Sequence, residues 1–223
     1  MSTYTKAQHN ELDAIALQFD AKQRYTFGKR CMDVLLASIA LIALAPLMLI
    51  TACAIAVESA GPVFFKQKRV GENGEDFVMW KFRSMGNQAK KPLTPTANEE
   101  LISGGVRFKM KDDPRITRVG SVIRKLSIDE LPQLINVLKG DMSLVGPRPA
   151  LPEEVSKYTL AQRKRLYAKP GITCIWQVSG RSDIPFVEQV NMDVDYIQKA
   201  SLSFDFYLLL KTIPAVLFAR GAH

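Results

Sequence analysis

The feature that most constrains this chain is the run from Val34 to Val57, VLLASIALIALAPLMLITACAIAV, 24 residues without a charge. A stretch that long and apolar suffices for a membrane helix. Pro46 stands at its middle, where it removes a helix hydrogen bond and forces a kink. Each half is then about 12 residues, roughly 18 Å at 1.5 Å per residue, and reaches only mid-bilayer. Both flanks are basic, with Lys22, Arg24, Lys29 and Arg30 before the run and Lys66, Lys68 and Arg69 after it. Positive residues favour the cytoplasmic side, so a simple span misplaces one cluster, whereas a helix that enters and leaves by one face satisfies both. A Pro-kinked span stays open beside this re-entrant hairpin. A cleaved signal is disfavoured by the roughly 30 residues that precede the run and by its length. Ile50-Thr51-Ala52-Cys53 resembles a lipidation box, but apolar sequence continues after Cys53.

The roughly 165 residues that follow are enough to bury a core. The net charge of +8 suits nucleic acid, an anionic membrane surface or a phosphorylated substrate. Neither zinc-ligand spacing, helix-turn-helix logic nor an RNA-type aromatic signature accompanies it, so nucleic acid is set aside. Three cysteines, Cys31, Cys53 and Cys174, make no disulfide framework and fit a reducing compartment, with the globular part cytosolic.

Residues 1–28 read as a polar arm with a weakly amphipathic stretch from Leu12 to Phe19, residues 29–58 as the membrane segment, and residues 59–223 as a catalytic domain. VFFKQKRVG and EDFVMWKFRSM read as two strands around Asn73-Gly74, a hairpin signal. Residues 86–106 look like a long loop. A helical pattern starts at Ser121 and resumes in LPQLINVLKG. VGPRP, Val145 to Pro149, is a rigid turn, and residues 151–168 read as a helix stopped by Pro170-Gly171. SLSFDFYLLLKTIPAVLFAR, with Lys211 and Arg220, reads as an interfacial amphipathic helix broken at Pro214, or as an ordinary core helix. The fold class expected is α+β, mainly helical, with a small β-hairpin.

RKLSIDELPQL is the most informative segment. Ser127 and Glu130 match a capping box, and acids favour a helix's first turn, so the segment taken alone favours capping. Pro132 argues for a helix start near Asp129. The acids Asp129 and Glu130 also sit where backbone N–H groups could keep a carboxylate ionised or hold a phosphate. Basic residues at turns shift the balance: Lys81 and Arg83 in WKFRSM, Arg115 and Arg118, Arg124 and Lys125, Arg148 between Pro147 and Pro149, and Arg181 after Ser179-Gly180. Guanidinium groups beside acids suit a diphosphate, and the acids could hold Mg2+ together with substrate phosphates. The two histidines, His9 and His223, lie at the ends, which disfavours histidine-based chemistry.

From Lys29 onward the chain resembles the bacterial sugar transferase family, the small monotopic phosphoglycosyl transferases. KRCMDVLLA, GPVFFKQKRVGENG, KFRSM, DDPRITRVGSVIRKLSIDELPQLINVLKGDMSLVGPRP, PGITCIWQVSGR and KTIPAV carry the resemblance, the long string being the most specific. The resemblance implies a re-entrant membrane helix, a cytosolic catalytic face at the inner membrane and a Mg2+-dependent two-step transfer. It implies that Asp129 is the nucleophile that takes a hexose phosphate from a nucleotide sugar such as a UDP-hexose. Undecaprenyl phosphate would be the acceptor, in priming exopolysaccharide synthesis. Glu130 would hold Mg2+ and orient or deprotonate. Lys81, Arg124 and Arg181 fall where the family groups cations around the nucleotide phosphates, Arg83 and Arg148 are expected to bind substrate phosphate with them, and Pro147, Arg148 and Pro149 match its active-site turn.

Two departures stand out: Ala45-Pro46 replaces the frequent Ser-Pro at the kink, and Cys174 stands where glycine is usual. A rival from another class is a non-catalytic, membrane-anchored anion-binding or assembly protein. An enzymatic rival transfers the sugar alone and releases nucleoside diphosphate. The sugar, the base and the oligomeric state, a homo-oligomer included, stay open at this stage.

Overall fold

The computed structural model describes residues 23–86, 100–102, 107–109 and 113–217. The arm up to residue 22, most of the loop expected over residues 86–106, and both histidines lie outside them. Helix α1 spans Gln23–Glu58, beginning ahead of Lys29 and passing through Pro46. Proline offers no N–H to the Ile42 carbonyl, so the ladder loses one bond there. One turn later the Thr51 hydroxyl donates to Leu47 O at 2.8 Å. Ile39, Ile42, Leu49 and Ile50, around the proline, are exposed. Only 11% of the helix's most apolar window is buried, so α1 is not a core helix.

Both ends of α1 dock on the same body. Near its start, Arg30 donates to Val137 O at 2.5 Å and Leu138 O at 2.7 Å, the last turn of helix α3 (Gln133–Lys139). At its far end, the buried Arg83 guanidinium donates to Ala60 O, Ser59 O and Ser59 Oγ at 3.1, 2.6 and 3.0 Å. A cation at a helix C-terminus satisfies carbonyls that the helix itself leaves bare. Glu58 then accepts from the backbone N–H groups of Arg118 and Val119 at 2.8 and 3.0 Å. These open helix α2, Arg118–Lys125, whose N-cap is Thr117. That helix starts three residues before the expected Ser121, because Thr117 accepts from Gly120 N.

Strands β1 (Phe64–Val70) and β2 (Asp76–Phe82) form the expected antiparallel hairpin, with Phe64 opposite Phe82 and Val70 opposite Asp76. Asn73 and Gly74 take φ values of 56° and 84°, the left-handed pair such a turn requires. β3 (Glu100–Ile102), inside the expected long loop, pairs antiparallel with β4 (Arg107–Lys109), which follows it. Ending α3, Gly140 adopts φ 94°.

β5 (Ser143–Val145) pairs in parallel with β6 (Gly171–Thr173), a pairing not expected from the local sequence. The two segments meet backbone to backbone: a Cβ on Gly171 would lie 2.0 Å from Gly146 N. Residues 151–168 are not one helix but α4 (Pro152–Ser156), α5 (Leu160–Arg163) and a 3-10 turn, Lys164–Tyr167. Thr159 restarts the chain through a capping box with Gln162. Helices α6 (Ile175–Ser179), α7 (Phe186–Lys199) and α8 (Leu202–Leu217) follow. Helix α8 runs through Pro214 instead of breaking there. It buries Asp205 and Leu208 and exposes Phe206, Tyr207, Leu210 and Ile213, so one helix has a core face and an apolar outer face. The main core joins Ala37 of α1, Met79 of β2, Val137 of α3, Val145 of β5, Ile197 of α7 and Leu208 of α8. The strands carrying Lys81 and the turn after β5 are thereby set against the base of α1. The architecture is α+β and mainly helical, with three two-stranded sheets among the described residues.

Candidate active site

The two acids sit on a 3-10 turn, Ile128–Glu130, entered through Ser127 at φ 55° and ψ 19°. A serine in the left-handed region is uncommon, and such strain concentrates at functional sites. Ser127 makes no side-chain capping bond, and α3 begins only at Gln133, after Pro132. The capping box suggested by Ser127 and Glu130 is therefore not formed. Glu130 turns instead to Lys81, whose Nζ donates to Oε1 at 2.6 Å. Arg148 Nη1 lies 3.8 Å from the same oxygen. Glu130 Oε2 has no partner among the described residues.

Asp129 differs. Among the described residues its carboxylate has neither a hydrogen-bond nor an ion-pair partner. Burial pushes its pKa up, Lys81, Arg124 and Arg148 pull it back, Glu130 adds to the rise, and the balance is about 6. For Glu130, burial acts in the same upward direction, but Lys81 and Arg148 outweigh it and hold the carboxyl at about 2. Two neighbouring carboxylates thus differ in kind, one fixed as a permanent anion and one titrating near neutrality.

Lys81, Glu130, Arg148 and Pro149 line an open cleft. Arg148 reaches it from the turn after β5, its guanidinium 5.9 Å from the Trp176 ring. That turn is clamped: Gly171 N donates to Pro147 O at 2.9 Å, and Arg69 Nη1 donates to Pro149 O at 3.0 Å. Arg124 acts on Asp129 through its charge.

Among the expected phosphate-binding residues, Arg83 is buried on the carbonyls ending α1. Arg124 and Arg181, the latter at φ 55° in the 3-10 turn Arg181–Asp183, are not among the cleft's lining residues, and neither is Asp129. Three lining residues with polar side chains were not expected from the sequence: Arg69, Gln133 and Gln177. Arg69 had a signal, since a cation near the end of β1 on the inward side of a hairpin needs a buried partner. The glutamines had none, because a neutral amide is unremarkable in any helix.

Among the described residues, no three His, Cys, Asp or Glu side chains gather as a metal cage. Mg2+ needs only one or two carboxylates when substrate phosphates supply further oxygens, and Asp129 with Glu130 Oε2 is a donor set of that kind.

The sequence matches the family described as bacterial sugar transferase over residues 24–219. It is 43% identical over 202 residues to the exopolysaccharide production protein ExoY of Sinorhizobium fredii, covering 88% of each chain. It is 42% identical over 206 residues to the undecaprenyl-phosphate galactose phosphotransferase of Salmonella typhimurium, with 91% of this chain and 43% of that protein covered. The UDP-galactose-lipid carrier transferase of Erwinia amylovora is 40% identical over 206 residues, with the same shares of 91% and 43%. A cation-ringed pair of acids on a mainly helical α+β body with one long apolar helix agrees with that match, and the chain belongs to the bacterial sugar transferase family. It is an enzyme of the phosphoglycosyl transferase class.

Proposed function

We propose that this enzyme transfers a hexose 1-phosphate from a UDP-hexose to undecaprenyl phosphate through an Asp129–phosphosugar intermediate, priming an exopolysaccharide or another surface glycan. The observation that carries this reading is the contrast between Glu130, held ionised by Lys81, and the unpartnered carboxylate of Asp129 beside it. Donor and acceptor follow the names borne by the Salmonella and Erwinia relatives.

In the first step an Asp129 oxygen attacks the sugar-linked phosphorus. The bond from that phosphorus to the bridging oxygen breaks, and UMP leaves with the electron pair. Lys81 and Arg148 stand where they can neutralise charge on the phosphoryl oxygens, a function suited to ammonium and guanidinium groups. In the second step an oxygen of undecaprenyl phosphate attacks the same phosphorus, and Asp129 leaves as a carboxylate. Carboxylates serve as covalent nucleophiles of this kind. Mg2+ held by Asp129 and Glu130 would supply charge neutralisation on the diphosphate.

For the membrane, we infer that α1 re-enters at the inner, cytoplasmic membrane, with both termini cytosolic. Support comes from the docking of both its ends on one body, through Arg30 and Arg83, while the residues around Pro46 stay exposed. The hydrophobic outer face of α8 would lie in the same interface.

The test is the leaving nucleotide. Protein supplied with UDP-galactose, UDP-glucose or UDP-N-acetylgalactosamine, Mg2+ and undecaprenyl phosphate should release UMP and form a lipid diphosphate sugar. Release of UDP would mean transfer of the sugar alone, and no release would favour a binding protein.

A further inference from the structure

We propose that Gln133 and Gln177 read the hydroxyl groups of the transferred sugar; this rests on the phosphosugar transfer proposed above. Gln133 is 2% exposed, opens α3 and lines the cleft beside Lys81, Glu130 and Arg148. Its side-chain amide makes no hydrogen bond among the described residues. Buried amides are almost always paired, because one left unmade loses its hydration with nothing in return. An unpaired amide that faces a cleft is therefore arranged for a partner that arrives from outside.

The chemistry of the lining says which part of the substrate that is. Phosphate oxygens are served by Lys81 and Arg148, whose charge-assisted bonds are the stronger ones. A neutral amide presents a donor and an acceptor together, as a hydroxyl requires. Gln133 lines the same cleft as Lys81 and Arg148, so a sugar joined to a phosphate held there comes beside its amide.

Gln177, also lining the cleft, is held on one side only. Cys174 Sγ donates to its Oε1 at 3.0 Å, which leaves the amide NH2 for a ligand. Cys174 is the buried N-cap of α6, so the contact that orients Gln177 comes from a fixed point of the backbone.

The experiment pairs side-chain removal with hydroxyl removal. Steady-state kcat/KM is measured for wild type, Gln133→Leu and Gln177→Leu with UDP-galactose, UDP-glucose and UDP-N-acetylgalactosamine, and with monodeoxy analogues of the preferred sugar. Gln133→Leu should melt no lower than wild type, and its kcat/KM for the preferred sugar should fall at least about tenfold. The penalty for deleting one particular hydroxyl, present in wild type, should vanish in the variant, and Gln177→Leu should erase the penalty at a different hydroxyl. Unchanged deoxy penalties at every position, or one uniform loss across all sugars, would overturn the proposal, the uniform loss indicating a phosphate contact. Should Gln133→Leu not fold, Gln133→Met takes its place, and failure of both overturns the proposal by showing that the amide holds the fold. A wild-type protein that releases no UMP from any of these sugars would sink the transfer reading itself, an outcome distinct from an active wild type whose sugar preference ignores Gln133.

Discussion

Lys81 Nζ lies 2.6 Å from Glu130 Oε1, and this one ion pair separates the behaviour of two adjacent carboxylates. Their side chains are 14% and 17% exposed, so water screens the pair weakly. Asp129, one residue earlier, receives the field of Lys81 without its contact, and burial wins.

Replacing Asp129 by asparagine should abolish transfer and yet stabilise the protein. The folded-state pKa of about 6 lies above the ordinary carboxyl value of 3.8. Ionising Asp129 therefore costs stability as pH rises from about 4 through 6, and asparagine escapes that cost. At pH 7.5 the gain should be about 1–3 kcal/mol, or several degrees in melting temperature. It should shrink to nothing below about pH 4. Melting curves across that range decide the matter, and a variant less stable at pH 7.5 would mean that the carboxylate has a structural partner.

The rate should follow the same group. An attacking carboxylate must be ionised, so kcat/KM should rise with pH through about 6 and then level off. Lys81 is the strongest charge pulling the Asp129 pKa down. Lys81→Met should move the acid limb to higher pH as well as lower the plateau. A limb that stays in place while the plateau falls would confine Lys81 to substrate binding.

Arg83→Met should damage the protein by another route. Its guanidinium meets carbonyls at the end of α1, so its loss should destabilise by about 2–4 kcal/mol. Methionine keeps much of the bulk and none of the donors. Activity should fall in proportion to folded protein, with KM for the nucleotide sugar unchanged. A raised KM at full stability would return Arg83 to the phosphate-binding set.

Local signals in this chain were legible and long-range ones were not. The hairpin could be read because Asn73-Gly74 dictates its own turn between two apolar runs. The acids, Lys81 and the Pro147–Pro149 turn were legible because unusual residue combinations cluster within short strings. The parallel pairing of β5 with β6 had no local mark, as its partners are separated by 28 positions (171 − 143). Lys81 and Arg83 are two residues apart, a spacing that strand alternation would put on one face, but the strand ends at Phe82 and Arg83 lies just beyond it. Whether a cation meets a phosphate or a helix end is decided by tertiary placement, and WKFRSM reads the same either way.

Topology is open to direct measurement. Reporters fused to each terminus should both lie on the cytosolic side, because the two ends of α1 share one docking body. A spanning α1 would put its ends, 35 residues and about 52 Å apart if straight, across the bilayer. One terminus found outside would exclude re-entry. Ala45→Ser should leave the orientation unchanged, since Thr51 already bonds back to Leu47 beside Pro46.

The two-step mechanism makes the most exacting demand. If Asp129 takes the phosphosugar, UMP departs before any lipid is needed, and the step can run backward. Labelled UMP should therefore exchange into UDP-hexose with Mg2+ present and undecaprenyl phosphate absent. Intact-protein mass should increase by one phosphosugar, located on the peptide that contains Asp129, and Asp129→Asn should show neither exchange nor adduct. With lipid present, initial rates should follow ping-pong kinetics, the mark of a covalent intermediate. Glu130→Gln tests the division of labour between the acids, because it removes the anion that Lys81 holds and leaves the nucleophile in place. Exchange should slow by at least about a hundredfold while a trace of adduct on Asp129 persists. A direct transfer between two bound substrates predicts no exchange without lipid and no adduct in any variant. Their absence from a preparation active toward lipid would reduce Asp129 to a metal ligand or general base.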